Sequence, residues 1–554
     1  MFYYTFKMFY RYFIFHPSYL LLFLKKFGQS FVLISFIFVY LAGSSFVIAN
    51  TLSVRQFVAE ASFEDNEIAE FYKKRNYELF WLGGAEDNKS RLDALFFAVS
   101  DADMHGLPSK KFELKKFSST FFGARSNKEV AVSDVKITSI FLDYAHALKN
   151  GILVPEKIDR KILRSKPYHR DTELLISLEK SNANSFFRNL YPSSPEYRRL
   201  MKEKKKLEKA LLHGGWGPLI VAKELSTGLQ EVGVISLRNR LIKMGFLEKT
   251  NSITYDTFLE SAVKKFQKDN GIPANGVADT FTISLINTTV RERLKSVVVA
   301  MERERWSKTF TKKRHISVNL ADFSAKIVDG GKVIFETKTI IGFDDSNRRS
   351  PEFSDTMEYL IVNPSWYVPR SIVVQEYLPM LKLDGNALNF LELRDEFGNV
   401  IHSSDIDFSN FDKKTFPYRM RQPPGPTNAL GLVKFMFPNE NNIYLHDTPA
   451  KNLFEFEVRT FSHGCIRLQD PFGFAYSLLS AQFGDPKSLF DLALEMNSTI
   501  RIDLETFVPI HIIYRTVITK PGGGLEFRED IYGRDNKIWE ALKAKGVVLG
   551  RETS

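Results

Sequence analysis

The chain contains a single cysteine, Cys465, in 554 residues. An intramolecular disulfide is therefore excluded, so core packing must hold the fold and the thiol needs another reason to be present. Low-complexity tracts and internal repeats are also absent, which excludes fibrous and solenoid architectures. There is no recognised nucleic-acid-binding motif, and nucleic acid is not an expected partner. No cofactor or resident metal is called for. What is present is ordinary globular composition, 44% hydrophobic and 25% charged, at a length that allows about three or four domains. The net charge of +11 favours anionic partners such as acidic wall polymer or lipid head groups.

The N-terminus departs from this average. Lys25 and Lys26 precede an apolar run from Phe27 to Ala49, long enough to cross a bilayer. Val47-Ile48-Ala49 also has the small-residue look of a signal-peptidase site, so residues 1–50 read as either a cleaved signal or an uncleaved anchor. Lys7, Arg11, Lys25 and Lys26 all lie before the run, which keeps the N-terminus cytoplasmic and exports everything after residue 50. The inner membrane is thus an expected partner through this segment.

Residues 55–215 read as a helical scaffold, with apolar stripes such as Leu92-Leu95-Phe96-Val99 and Ile140-Phe141-Tyr144-Leu148 and no chemistry-bearing motif. The cluster Lys202-Glu203-Lys204-Lys205-Lys206 reads as a solvated helix face. A glycine-rich turn, Gly214 to Pro218, marks a boundary. Residues 219–295 then show short amphipathic helices, one with Leu237, Leu241 and Met244 and one with Phe258, Leu259, Ala262, Val263 and Phe266. Near His315 the period changes from 3.6 to 2. Asp329-Gly330-Gly331 separates two alternating strands, and further strand patterns run to Thr519, giving a β-rich domain at 310–535. Residues 366–421 interrupt it as a helix-leaning insertion with the length of a lid. Gly522-Gly523-Gly524 reads as a hairpin turn, Asp344-Asp345 as an exposed loop and 536–554 as a C-terminal tail. The expected class is α+β multidomain.

The chemistry concentrates in Ser462-His463-Gly464-Cys465-Ile466-Arg467, with His446-Asp447-Thr448-Pro449 upstream. A thiolate becomes a strong nucleophile where an imidazole takes its proton and basic groups lower its pKa. In a locally extended segment, period two places His463 and Cys465 on one face, and Gly464 permits close backbone approach. His446 ends a strand pattern and can reach the same spot from a neighbouring strand. Backbone N–H groups near Gly464 and Cys465, with Ser462 beside them, are candidate oxyanion donors, and Arg467 can hold a substrate carboxylate through its fork. Tyr444 shares a strand face with His446 and is a candidate lining residue, as is Trp366 at the mouth of the insertion. The competing reading of Cys465 is a buried, inert thiol.

The run Leu237-Arg238…Leu241, Phe266-Gln267, Gly271-Ile272-Pro273 and Gly276-Val277 resembles the small peptidoglycan-binding domain. His446 followed by Ser462-His463-Gly464-Cys465-Ile466-Arg467 resembles the L,D-transpeptidase catalytic domain. The strings Pro424 to Gly431, Lys434 to Asn439 and Leu445 to Pro449 look like its large periplasmic Gram-negative type. The likeness implies a β-rich catalytic domain with a lid, a three-helix binding module and a helical scaffold. It also implies Cys465 as nucleophile, His446 as base and His463 as a second imidazole, whereas proximity in the sequence alone favours His463 as the base. The implied reaction is acyl transfer between peptidoglycan tetrapeptide stems, donor and acceptor, forming 3→3 cross-links in the periplasm with loss of D-alanine. Sensitivity of the thiol to carbapenems is implied as well. Three rivals stand beside it: zinc bound by His446, Asp447, His463 and Cys465; hydrolysis of the same thioester by an L,D-carboxypeptidase; and a non-catalytic wall anchor built on 219–295.

Overall fold

The computed structural model describes residues 51–112, 123–164, 169–307, 313–496 and 498–550. The expected export segment at 1–50 lies outside the described residues, among which no helix is long and apolar enough to cross a membrane. The described residues form two compact units, one of 51–93 with 123–139 and one of 94–112 with the described residues from 140 onward.

In the first unit, helices Thr51–Ser62 and Asn66–Lys74 precede a buried carboxylate, Asp134. Its oxygens accept the N–H groups of Phe80, Trp81 and Leu82 and the Tyr72 hydroxyl, so the buried carboxyl group is met by four donors.

The second unit holds four hydrophobic cores. The scaffold helices Asp171–Lys180 (α1) and Pro195–Leu212 (α2) are followed by Val232–Met244 (α3), Thr257–Asp269 (α4) and Thr280–Asn287 (α5). Helices α3 to α5 enclose Leu237, Leu241, Leu259, Val263, Phe266 and Ile283. The Gln267 side chain explains its place in the motif: its carbonyl accepts the Gly276 N–H at 2.9 Å and its amide donates to the Val277 carbonyl at 2.8 Å. Gly276 has φ +80°, and a Cβ there would come within 2.7 Å of Glu260 and Lys264 side-chain carbons.

Helix Val290–Trp306 (α6), opened by a Thr289/Glu292 capping box, packs against α2 and Arg534–Ala544 (α7) through Leu200, Leu207, Val297, Val298, Ile538 and Leu542. Two expectations change here. The lysine cluster is not wholly solvated: Lys204 is only 3% exposed and pairs with Glu208 and, at 3.6 Å, with Asp103. The segment 536–554 is no tail, because Ile538, Trp539 and Leu542 of α7 are buried in this core.

The β-rich domain is built on a nine-stranded sheet. Its strands are His315–Asn319 (β1), Ser324–Asp329 (β2), Lys332–Gly342 (β3), Phe353–Val362 (β4), Val433–Met436 (β5), Leu445–His446 (β6), Thr460–Ser462 (β7), Ile466–Leu468 (β8) and Ile500–Ile513 (β9). They run β7-β3-β8-β6-β5-β4-β9-β1-β2, and β2 also pairs with β3, so eight of them close into a ring with β7 added at β3. Inward residues such as Ile316, Leu360, Phe435, Leu445 and Ile466 fill it. The insertion is mixed rather than helical. A four-stranded sheet of Trp366–Tyr367, Arg419–Gln422, Glu392–Arg394 and Val400–Ile401 joins a π turn, Val373–Tyr377, and helix Leu378–Leu383 around its own core of Val373, Leu378, Phe408 and Phe416. Gly522-Gly523-Gly524 does turn a hairpin, between Val517–Thr519 and Leu525–Phe527.

Candidate active site

Register builds the site. β6 and β8 lie parallel, with Leu445 opposite Ile466 and His446 opposite Arg467, while β5 runs antiparallel to β6 with Lys434 opposite His446. Side chains alternate across a strand. Phe435, Leu445 and Ile466 therefore enter the core together, and Lys434, His446 and Arg467 form a row on the other face.

One residue before this pairing, the Ile466 amide donates to the Tyr444 carbonyl at 3.2 Å, which sets Cys465 beside Tyr444. Cys465 is half-buried and its thiol donates to the Asn442 carbonyl at 3.6 Å. Burial pushes this thiol above its ordinary pKa, against the pull of the Tyr444 N–H and hydroxyl, Arg467 and Lys434. The Tyr444 hydroxyl is held protonated, chiefly by burial and then by the sulfur's negative charge, so it stays a donor.

His446 is buried, and its Nδ1 donates to the Asp447 carbonyl at 2.5 Å. Burial first, then Arg467, pushes its pKa down to about 3, so the ring is neutral. Its centroid lies 5.6 Å from that of Tyr444. His463 points elsewhere: Nε2 donates to Glu376 of the insertion at 2.7 Å, and the ring meets Phe343 edge-on at 6.2 Å.

The expected extended conformation of 462–467 is not there. β7 ends at Ser462 and β8 begins at Ile466, and Gly464 between them has φ +119°. Ser462 Oγ accepts the Gly464 N–H at 3.1 Å and donates to the Cys465 carbonyl at 2.5 Å, so both Ser462 and the Gly464 amide are spent inside the loop and not offered to an oxyanion. The Gly464 carbonyl is held by Ser350 Oγ at 2.7 Å, and Arg534 holds the Ser350 carbonyl at 2.8 Å. Trp366 packs edge-on against Tyr377 within the insertion. His446, Asp447, His463 and Cys465 do not gather: among the described residues no three His, Cys, Asp or Glu converge as metal ligands.

Nothing local in the sequence marks Lys434, Ser350 or Glu376 as site residues. Lys434 opens the segment Lys434 to Asn439, but only the β5–β6 register gives it a place at the site.

Residues 313–502 match the family model described as "L,D-transpeptidase catalytic domain", residues 230–286 that of "Putative peptidoglycan binding domain" and residues 66–203 that of "Scaffold domain". A curated Haemophilus influenzae protein named "Putative L,D-transpeptidase" is 31% identical over 236 residues, covering 41% of this chain. The chain spans about half the length of that relative, 47%. A crystal structure of an L,D-transpeptidase from Xylanimonas cellulosilytica aligns at 11% identity and a TM-score of 0.17, over 53% of this chain and 99% of that one.

Proposed function

We propose that this chain, a member of the L,D-transpeptidase family through its catalytic domain, forms 3→3 cross-links between peptidoglycan stems by way of a Cys465 thioester. The observation that supports this is the half-open sulfur facing the Tyr444 N–H and hydroxyl, with two cations beside it.

Substrate that displaces water strengthens each of these interactions, so the resting thiol ionises on engagement. The thiolate attacks the carbonyl between residue three and D-alanine four of a donor stem. The Tyr444 hydroxyl, which keeps its proton, then donates to the sulfur and to the oxyanion as charge moves between them. The C–N bond breaks, the leaving amine takes the proton the thiol gave up, and D-alanine departs. An acceptor amine attacks the thioester, forms the new amide and returns the thiol. His446, neutral and fixed by its Nδ1–H, carries the proton in this reading, with His463 the second imidazole at the loop. The peptidoglycan-binding module delivers the wall polymer, and residues 1–50 export the chain to the periplasm and either anchor it at the inner membrane or are removed.

The test is intact-mass detection of a carbapenem adduct together with muropeptide analysis. A stoichiometric adduct lost in Cys465→Ala, with 3→3 dimers formed by the unsubstituted enzyme alone, is the expected result. Tripeptides without dimers establish carboxypeptidase activity instead, and an unchanged product profile in Cys465→Ala leaves a wall anchor.

A further inference from the structure

Lys434 and Arg467 flank His446 from the strands on either side of it, and both are half-buried. Neither has a carboxylate partner among the described residues, and Arg467 Nε is buried without a hydrogen bond. Lys434 Nζ lies 5.6 Å from the Tyr444 ring centroid in a cation–π contact, and the Cys465 sulfur is close enough to act on its charge. Half-buried cations left unpaired are costly, and natural sites pair them with an anion. A thiolate at Cys465 balances one of the two charges and leaves the other.

We propose that Lys434 and Arg467 together clamp a substrate carboxylate next to the sulfur, which makes Lys434 a specificity-determining residue. The inference rests on Cys465 being the acyl carrier. Donor stems offer two carboxylates: the α-carboxylate of D-alanine four, attached to the carbon that follows the scissile nitrogen, and the side-chain carboxylate of the residue-three diamino acid. Arg467 supplies a planar fork and Lys434 a point charge. The same charges favour the thiolate, so binding and ionisation are to be separated by experiment.

Two alkylating agents separate them. Iodoacetamide and iodoacetate both transfer a carbon to the thiolate, but iodoacetate alone carries a carboxylate. In the full-length protein, the ratio of iodoacetate to iodoacetamide rates at Cys465 cancels any change in thiol acidity. Lys434→Met is expected to lower that ratio about tenfold, the scale of one charged hydrogen bond, while Lys434→Arg retains most of it. A circular-dichroism spectrum and urea midpoint equal to those of the unsubstituted protein show that the variant is folded, and an iodoacetamide rate distinct from that of the urea-unfolded chain shows that the site is intact. An unchanged ratio in Lys434→Met overturns the clamp while leaving the thiol reading intact, and labelling by neither reagent sinks both.

Turnover then identifies the carboxylate. The Lys434→Met penalty is expected to vanish for a donor ending in D-alaninamide if the α-carboxylate is held, or for a donor amidated on the residue-three side chain if that group is held. A penalty untouched by either amidation overturns the proposal.

Discussion

Ser350 is buried completely, and its hydroxyl does two things at once: it accepts the Gly342 N–H at 3.0 Å and donates to the Gly464 carbonyl next to Cys465. Ser350→Ala strands both groups, a loss of about 1–3 kcal/mol for an unsatisfied buried partner. Denaturant unfolding should register that loss, and kcat should fall further than the stability change explains, because the Gly464 loop is freed to move. A kcat equal to that of the unsubstituted enzyme would make Ser350 purely structural. Cys465, His446, His463, Tyr444 and Arg467 were legible in the sequence because their chemistry is carried by residue type and short spacing. Ser350 was not, since a serine more than a hundred positions away carries no local signal. For Ser462 and Gly464 the sequence shows their place beside the thiol but not their bonds, because a hydroxyl closes a turn where the spacing predicts an extended segment.

Among the elements, the insertion meets the site where Glu376 accepts from His463, and Glu376 stands in the π turn Val373–Tyr377. Such single-turn π segments are frequent at functional sites because they re-aim a side chain without ending the helix. The pair is partly exposed, 40% at Glu376 and 33% at His463, so its worth is about 0.2–1 kcal/mol. Glu376→Gln is therefore expected to lower kcat/KM by about two- to fivefold, with stability unaltered. An unchanged kcat/KM would mean that the lid contact has no part in orienting His463. The sequence located this insertion but leaned it towards helix. Its strands are two to four residues long, too short for period two to appear, and apart from the hairpin of Glu392–Arg394 with Val400–Ile401 they pair across gaps of tens of residues. The long strands and hairpins of the ring, such as β2–β3 across Asp329-Gly330-Gly331, were readable because the turn and both alternations lie together.

On the scale of the whole molecule, burial of charge is what hydropathy patterning hid. Glu302, Arg303, Glu304 and Arg305 of α6 look like a solvated run, yet all four are buried and each finds an opposite charge: Arg305 with Glu302, Arg303 with Glu352 and Asp535, Arg515 with Glu304. His105 lies against this helix, its backbone carbonyl taken by Arg305 and its Nδ1 3.2 Å from the Tyr197 hydroxyl. Burial first, then Arg305 and Lys204, pushes its pKa down to about 3, which matches His446 at the active site. Both imidazoles stay neutral in the folded chain at a pH where an unfolded histidine, with its pKa of about 6.5, takes up a proton. The unfolded state thus binds more protons over the window from about 6.5 down to about 3, and stability that is complete above the unfolded value is lost as the pH falls. Each such histidine contributes a slope of about 1.4 kcal/mol per pH unit across that window. Replacing His105 with Phe, which packs beside Tyr191 and Tyr197 without titrating, should flatten the pH dependence of the urea midpoint between pH 4 and pH 6 by that increment and leave Cys465 alkylation untouched, since His105 has no part in the proposed chemistry. An unaltered slope would mean that His105 is protonated in the folded protein and that the Arg305–Tyr197 cluster tolerates a second buried cation.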